Sequence, residues 1–149
     1  MTDKGRGASE PAGVIREIFR RAGHEIRNAL SGAAVNLEVV RSRAGRKGEG
    51  RDIASFADRA AAQIGEASSL SDGLLALAGS LIAAQAAGTL TSTTGHGAGS
   101  HIELMIYGEA EGVVSDIERL TSRIGVGIEP RGQNVILTIW PEGKSHSKD

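Results

Sequence analysis

One short run, Gly23-His24-Glu25-Ile26-Arg27-Asn28-Ala29-Leu30, gathers the residue types that phosphoryl chemistry needs. Imidazole is neutral and nucleophilic near neutral pH, and a neighbouring carboxylate can orient the ring and take its proton as it attacks a phosphoryl group. Glu25 is placed for that task. Asn28 lies four residues on, one helical turn above His24, where its amide can hold a water or a phosphoryl oxygen in line with the reacting centre. Arg21 and Arg27 supply cations for the phosphate charge.

These residues need a helix to carry them, and the chain signals one. Ser9-Glu10-Pro11 is a helix start, a capping residue followed by proline at the opening of a periodic segment. Helix one is expected to run from residue 11 to about Arg43. At about 100° per residue, Ile15, Ile18, Phe19, Ala22, Ile26, Ala29, Leu30, Ala33, Leu37 and Val40 fall in one arc about 120° wide. His24 projects from nearly the opposite side, among Glu17, Arg20, Arg21, Arg27, Asn28 and Ser31, so it belongs to a wet, basic and polar face. Arg20 and Ser31 join Arg21 and Arg27 as candidate phosphate or partner contacts.

Gly45, Gly48 and Gly50 break the pattern in a short polar stretch, so the next helix folds back antiparallel. Its apolar residues, from Ile53 through Ala60, Ile64, Leu70, Leu74, Leu77 and Leu81, recur at three- and four-residue steps to about Ala87. The spacing predicts a helical hairpin over 11–87. Residues 88–100, rich in Gly, Ser and Thr, read as a flexible linker. Beyond it, alternation at Ile102, Leu104 and Ile106, a helix from Ala110 to Ser122, and strands around Ile124–Ile128 and Val135–Trp140 predict a β-α-β-β module over 101–142. So small a module is expected to lean on the hairpin or on a second subunit. The termini, 1–10 and 143–149, are expected to be disordered.

The run His24-Glu25-Ile26-Arg27-Asn28-Ala29-Leu30 resembles the H-box of two-component sensor histidine kinases, whose usual form is His-Glu-x-Arg-Asn-Pro-Leu. The resemblance extends over the hairpin, because in that family the H-box helix and a second helix form the dimerisation and phosphotransfer domain. It implies an α+β protein whose long antiparallel hairpin forms a dimeric four-helix bundle, with His24 as phosphoacceptor, Glu25 as general base and Asn28 positioning water. It also implies a response-regulator receiver as partner, carrying the Mg²⁺ and the aspartate, and no cofactor bound by this chain itself. Two departures are visible. Ala29 stands where the family has a kink-forming proline, so the helix is expected to run straighter. The family's nucleotide-binding loops are missing, although Ser122–Pro141 is similar to the final strand pair of the family's ATPase domain. The C-terminal module therefore looks like a shrunken ATPase remnant, as in histidine phosphotransferases that kept the kinase architecture without nucleotide binding. A non-catalytic dimerisation scaffold and an ATP-dependent histidine kinase stand as the alternatives.

Composition narrows the field. Lys plus Arg number 17 against 18 Asp plus Glu, which removes the basic footprint of a dedicated nucleic-acid binder. With no cysteine there is no thiolate nucleophile and no Cys-ligated zinc. The opening MTDKGRGASEPAG has no apolar core, and no run of about 18 consecutive apolar residues occurs, so a soluble cytoplasmic protein with no membrane contact is expected, and the apolar stripes together with the family resemblance imply a homodimer. His96 and His101 flank the glycine-rich stretch without carboxylates at ligand spacing, and His146 lies in the polar tail; all three read as ordinary surface histidines. Gly95, Gly97 and Gly99 lack the following Lys-Ser or Lys-Thr of a phosphate loop and read as linker. Arg41, Arg43, Arg46, Lys47 and Arg51 form a solvated basic turn that can also serve as a docking patch.

Overall fold

A computed structural model describes residues 10–48, 50–95, 99–105 and 110–140. The expected disordered ends, His96 and His146 lie outside them, apart from Glu10 at the head of the first helix.

The chain is α+β, with two long helices in a hairpin, a third helix and one four-stranded antiparallel sheet. Helix α1 (Glu10–Arg43) and helix α2 (Gly50–Ala87) are 34 and 38 residues long, which makes each roughly 50 Å or more at 1.5 Å per residue. α1 ends where Gly45 adopts φ 94°, with the Ala44 amide bonded to the Val40 carbonyl at 2.9 Å. α2 ends in a Schellman cap: Gly88 has φ 69°, its amide reaches the Gln85 carbonyl at 3.2 Å, and the Thr89 amide reaches the Ala84 carbonyl at 2.9 Å. Both stops use glycine in the left-handed region, where a side chain is strained.

The segment read as a linker is partly a strand. Residues Thr91–Gly95 form β1 and pair antiparallel with β2 (Gly99–Met105), Thr91 opposite Glu103 and Ser92 opposite Ile102. Three β-branched threonines fit a pleated edge, and β1 needs little apolar character because it is bordered by a neighbour on one side only. Helix α3 (Ala110–Ile124) then leads through Gly125, at φ 66°, into β3 (Val126–Arg131) and β4 (Asn134–Ile139). The strand order is β1-β2-β4-β3. The expected β-α-β-β module is thus β-β-α-β-β.

Register sorts the side chains. Ile102 pairs with Leu137, Leu137 with Ile128, and Ile139 with Val126, so these residues share the face turned towards the helices. They join Ile117, Leu120 and Ile124 of α3, Val14, Ile18 and Ala22 of α1, and Leu70, Leu77, Leu81 and Ala84 of α2 in one buried cluster. The base of the hairpin and the sheet therefore share a core. Further out, small residues line the α1–α2 seam, with Ala29, Ala33, Ala60 and Ala67 all buried. Across that seam the Asn36 amide donates to Gln63 at 2.7 Å, and Gly32 leaves the space that the Gln63 side chain fills.

Candidate functional site

His24 lies on the exposed surface of α1, and Arg27, Asn28 and Ser31 beside it are exposed as well. Glu25 is half-buried. A helix makes residues three and four apart into neighbours, with Cβ atoms about 5–6 Å apart. The four such neighbours of His24 are Arg20, Arg21, Arg27 and Asn28: three guanidiniums and one amide. Among the described residues, the side chains of His24, Glu25, Arg27, Asn28 and Ser31 make no hydrogen bond or ion pair. No bond joins Glu25 to His24; adjacent residues diverge by about 100° around a helix, and Glu25 turns towards the half-buried side.

Arg20 and Arg21 are organised by Glu17. Arg20 donates through Nε and Nη2 to the two carboxylate oxygens, both at 2.8 Å, and Arg21 Nε donates to Oε1 at 2.8 Å. Hydrogen bonds from Arg20 and then Arg21 outweigh partial desolvation and hold the Glu17 carboxyl down at about 2. Arg21 also reaches across the molecule. Its Nη1 donates to the main-chain carbonyls of Ile124 at 3.3 Å and Gly125 at 3.5 Å, joining the histidine-bearing helix to the end of α3.

α3 is seated on α2 by close contact and by charge. Gly73, buried within α2, faces the Asp116 carbonyl and the Leu120 side chain. Arg123 pairs with Glu66, and Arg119 pairs with Asp116 at 3.2 Å while donating to Ser69 at 3.4 Å. Sequence reasoning missed this seat and the Arg21 bridge. A glycine inside a helical pattern was the available signal for the first; nothing local announced the second, which spans 103 residues.

The opposite face of the hairpin is apolar and open. Relative to Gly73, Ile64 and Ile82 are rotated by about 180° on α2 and Leu75 by about 200°. Relative to Arg21, Leu30 and Leu37 are rotated by about 180° and 160° on α1. These five large side chains therefore turn away from α3, and all are exposed, Leu75 by 72% and Ile82 by 71%.

No family model, curated protein or solved structure matches this chain.

The site must then be judged on its own chemistry. It presents one reachable imidazole with three arginines and an amide at helical-neighbour positions, on a helix that also packs against α2 and α3. His101 falls in β2, and Gly95 and Gly99 lie in strands β1 and β2; Gly97 lies outside the described residues. The basic turn at Arg43 is partly occupied, since Arg43 and Arg59 both stack on Phe56, at 5.4 and 4.5 Å from the ring centre.

Proposed function

We propose that this chain is a histidine phosphotransferase of the two-component type, in which His24 exchanges a phosphoryl group with an aspartate of a response-regulator receiver. The observation that carries the reading is an exposed His24 with Arg20, Arg21, Arg27 and Asn28 at the positions three and four residues away on the same helix. A cationic, hydrogen-bonding surround fits an imidazole that must accept and hold a phosphoryl dianion.

In the forward direction an imidazole nitrogen attacks the aspartyl phosphate, the P–O bond to the receiver carboxylate breaks and an N–P bond forms. The ring proton leaves from the other nitrogen to Glu25 or to water. Glu25 reaches the imidazole by a side-chain rotation, and Asn28 orients a phosphoryl oxygen or water. The Mg²⁺ belongs to the receiver, and this chain contributes positioning and charge.

A second copy of the chain covers the apolar stripe of Leu30, Leu37, Ile64, Leu75 and Ile82, giving a four-helix bundle with both copies of His24 outside it. The stripe supports this assignment through its length and its position opposite α3. By length and composition alone α2 would also serve as a membrane span, its most apolar window being 33% buried. The split of its apolar residues between a core face and one outward stripe fits bundle packing better.

The test is a panel of phosphorylated receivers incubated with the wild-type chain and with His24→Ala. Faster loss of phosphate from one receiver with the wild type alone supports the reading. No effect on any receiver points to a non-catalytic dimerisation scaffold.

A further inference from the structure

Arg21 touches both the chemistry and the α/β unit. On α1 it is a helical neighbour of His24, at a Cβ separation of about 5–6 Å. Through Nη1 it donates to the carbonyl of Ile124, the last residue of α3, at 3.3 Å and to that of Gly125, the next residue, at 3.5 Å. The Ile124 carbonyl belongs to the negative end of the helix and lacks a partner within it. Both bonds are longer than the usual N–H···O distance of about 2.9–3.0 Å, so they are the weaker half of what Arg21 makes. Nε also donates to Glu17 at 2.8 Å, so the planar guanidinium leaves the carbonyls only by turning away from Glu17 as well, and Glu17 then keeps Arg20 as its partner.

A phosphoryl group on His24 would bring about −1.5 to −2 charge and three acceptor oxygens within reach of that guanidinium. A phosphoryl dianion adds charge–charge attraction and a second acceptor oxygen for the guanidinium fork, neither of which a neutral carbonyl offers. We propose that phosphorylation of His24 draws the Arg21 guanidinium off the Ile124 and Gly125 carbonyls, so that the phosphoryl state of α1 is transmitted as a loosening of the α3 C-terminus and the start of β3. The inference rests on the reading of His24 as a phosphoryl carrier. Its reach is bounded by the other contacts of α3. Arg119 stays bonded to Ser69 and Arg123 to Glu66, so the body of α3 keeps its seat on α2. The freed segment is the last turn and the junction at Gly125, where positive φ already marks a break between helix and strand.

Phosphoramidate provides the test without any receiver. It transfers its phosphoryl group to an accessible imidazole: the P–N bond of the reagent breaks, a new N–P bond forms, and ammonia leaves with the ring proton. Amide hydrogen exchange is then compared between treated and untreated chain, with His24→Gln treated in parallel to subtract labelling of other histidines. Residues 121–127 should exchange about fivefold to tenfold faster after His24 is phosphorylated, while 113–118 stay unchanged. Arg21→Gln should show the same increase without phosphate, and phosphorylating it should add nothing.

Unchanged exchange at 121–127 in chain carrying phosphate on His24 overturns the proposal, as does unchanged exchange in Arg21→Gln. If phosphoramidate labels His24 and the segment loosens but no receiver transfers, the coupling stands and the phosphotransfer reading falls. Refusal of the label by His24 overturns both.

Discussion

Gly73→Ala separates two effects that normally go together. In a helix interior, alanine is favoured over glycine by about 1 kcal/mol, so the substitution should stabilise wherever there is room. At Gly73 there is none: a Cβ would stand 2.6 Å from the Asp116 carbonyl oxygen and 2.8 Å from Leu120 Cβ. One of these is backbone, which no rotamer change can move, so α2 and α3 must part by roughly 0.5–1 Å and lose dispersion contact along their interface. Overpacking of this kind costs about 1–3 kcal/mol, and the rigid partner places Gly73 in the upper part of that range. After the propensity gain the net loss is about 1–2 kcal/mol. Gly79, six residues on in the same helix, is exposed and has nothing within 4 Å, so Gly79→Ala should gain about 0.5–1 kcal/mol. The assay is urea unfolding of both variants and wild type at one fixed protomer concentration, because self-association would raise apparent stability. Gly73→Ala as stable as Gly79→Ala would refute the close seating of α3 on α2.

Glu25→Ala should slow phosphotransfer by about a hundredfold or more while leaving the association state intact, as removal of a general base does; full activity in a receiver assay would take Glu25 out of that role. Leu75→Glu places two charges in a symmetric interface and removes about 3 kcal/mol or more of apolar burial across the two copies, weakening the dimer at least about a hundredfold. Light scattering should then find monomer at concentrations where wild type is dimeric, and an undiminished dimer would move the interface elsewhere. Glu17 has a folded-state pKa of about 2 against 4.5 for the free group, so its contribution is complete above pH 4.5 and is lost as pH falls towards 2. Glu17→Gln should accordingly lower the melting temperature at pH 6, and the difference from wild type should close by pH 2; a pH-independent difference would contradict the Arg20–Glu17–Arg21 arrangement.

Much of this architecture is legible in local pattern. The three- and four-residue spacing of apolar side chains gives α1 and α2, glycines at 45 and 48 give the turn, and alternation around Ile102 and Val135–Ile139 gives strands that the register places side by side. β1 escaped because Thr91-Ser92-Thr93-Thr94 lacks the apolar face that marks a buried strand; its pairing comes from β2 and is non-local. The module is expected to lean on the hairpin or on a second subunit, and it leans on the hairpin, but which residues form the shared core is not legible. Periodicity identifies an apolar stripe on α2 but does not say that its second half packs on a sheet while Ile64, Leu75 and Ile82 remain outside. At the candidate site, the exposure of His24 and its arginine neighbours follow from helical spacing alone. The partner of Arg21 does not, since the carbonyls of Ile124 and Gly125 reach it only through the tertiary fold.

The most direct test of the central claim is to supply radiolabelled phosphate on a receiver and locate it afterwards on this chain. Acid-labile, alkali-stable label that mass spectrometry maps to His24, and that His24→Ala abolishes while retaining its fold, is the predicted result. Label that persists in His24→Ala, or no label from any receiver in a broad panel, would contradict the assignment of His24 as the phosphoryl carrier.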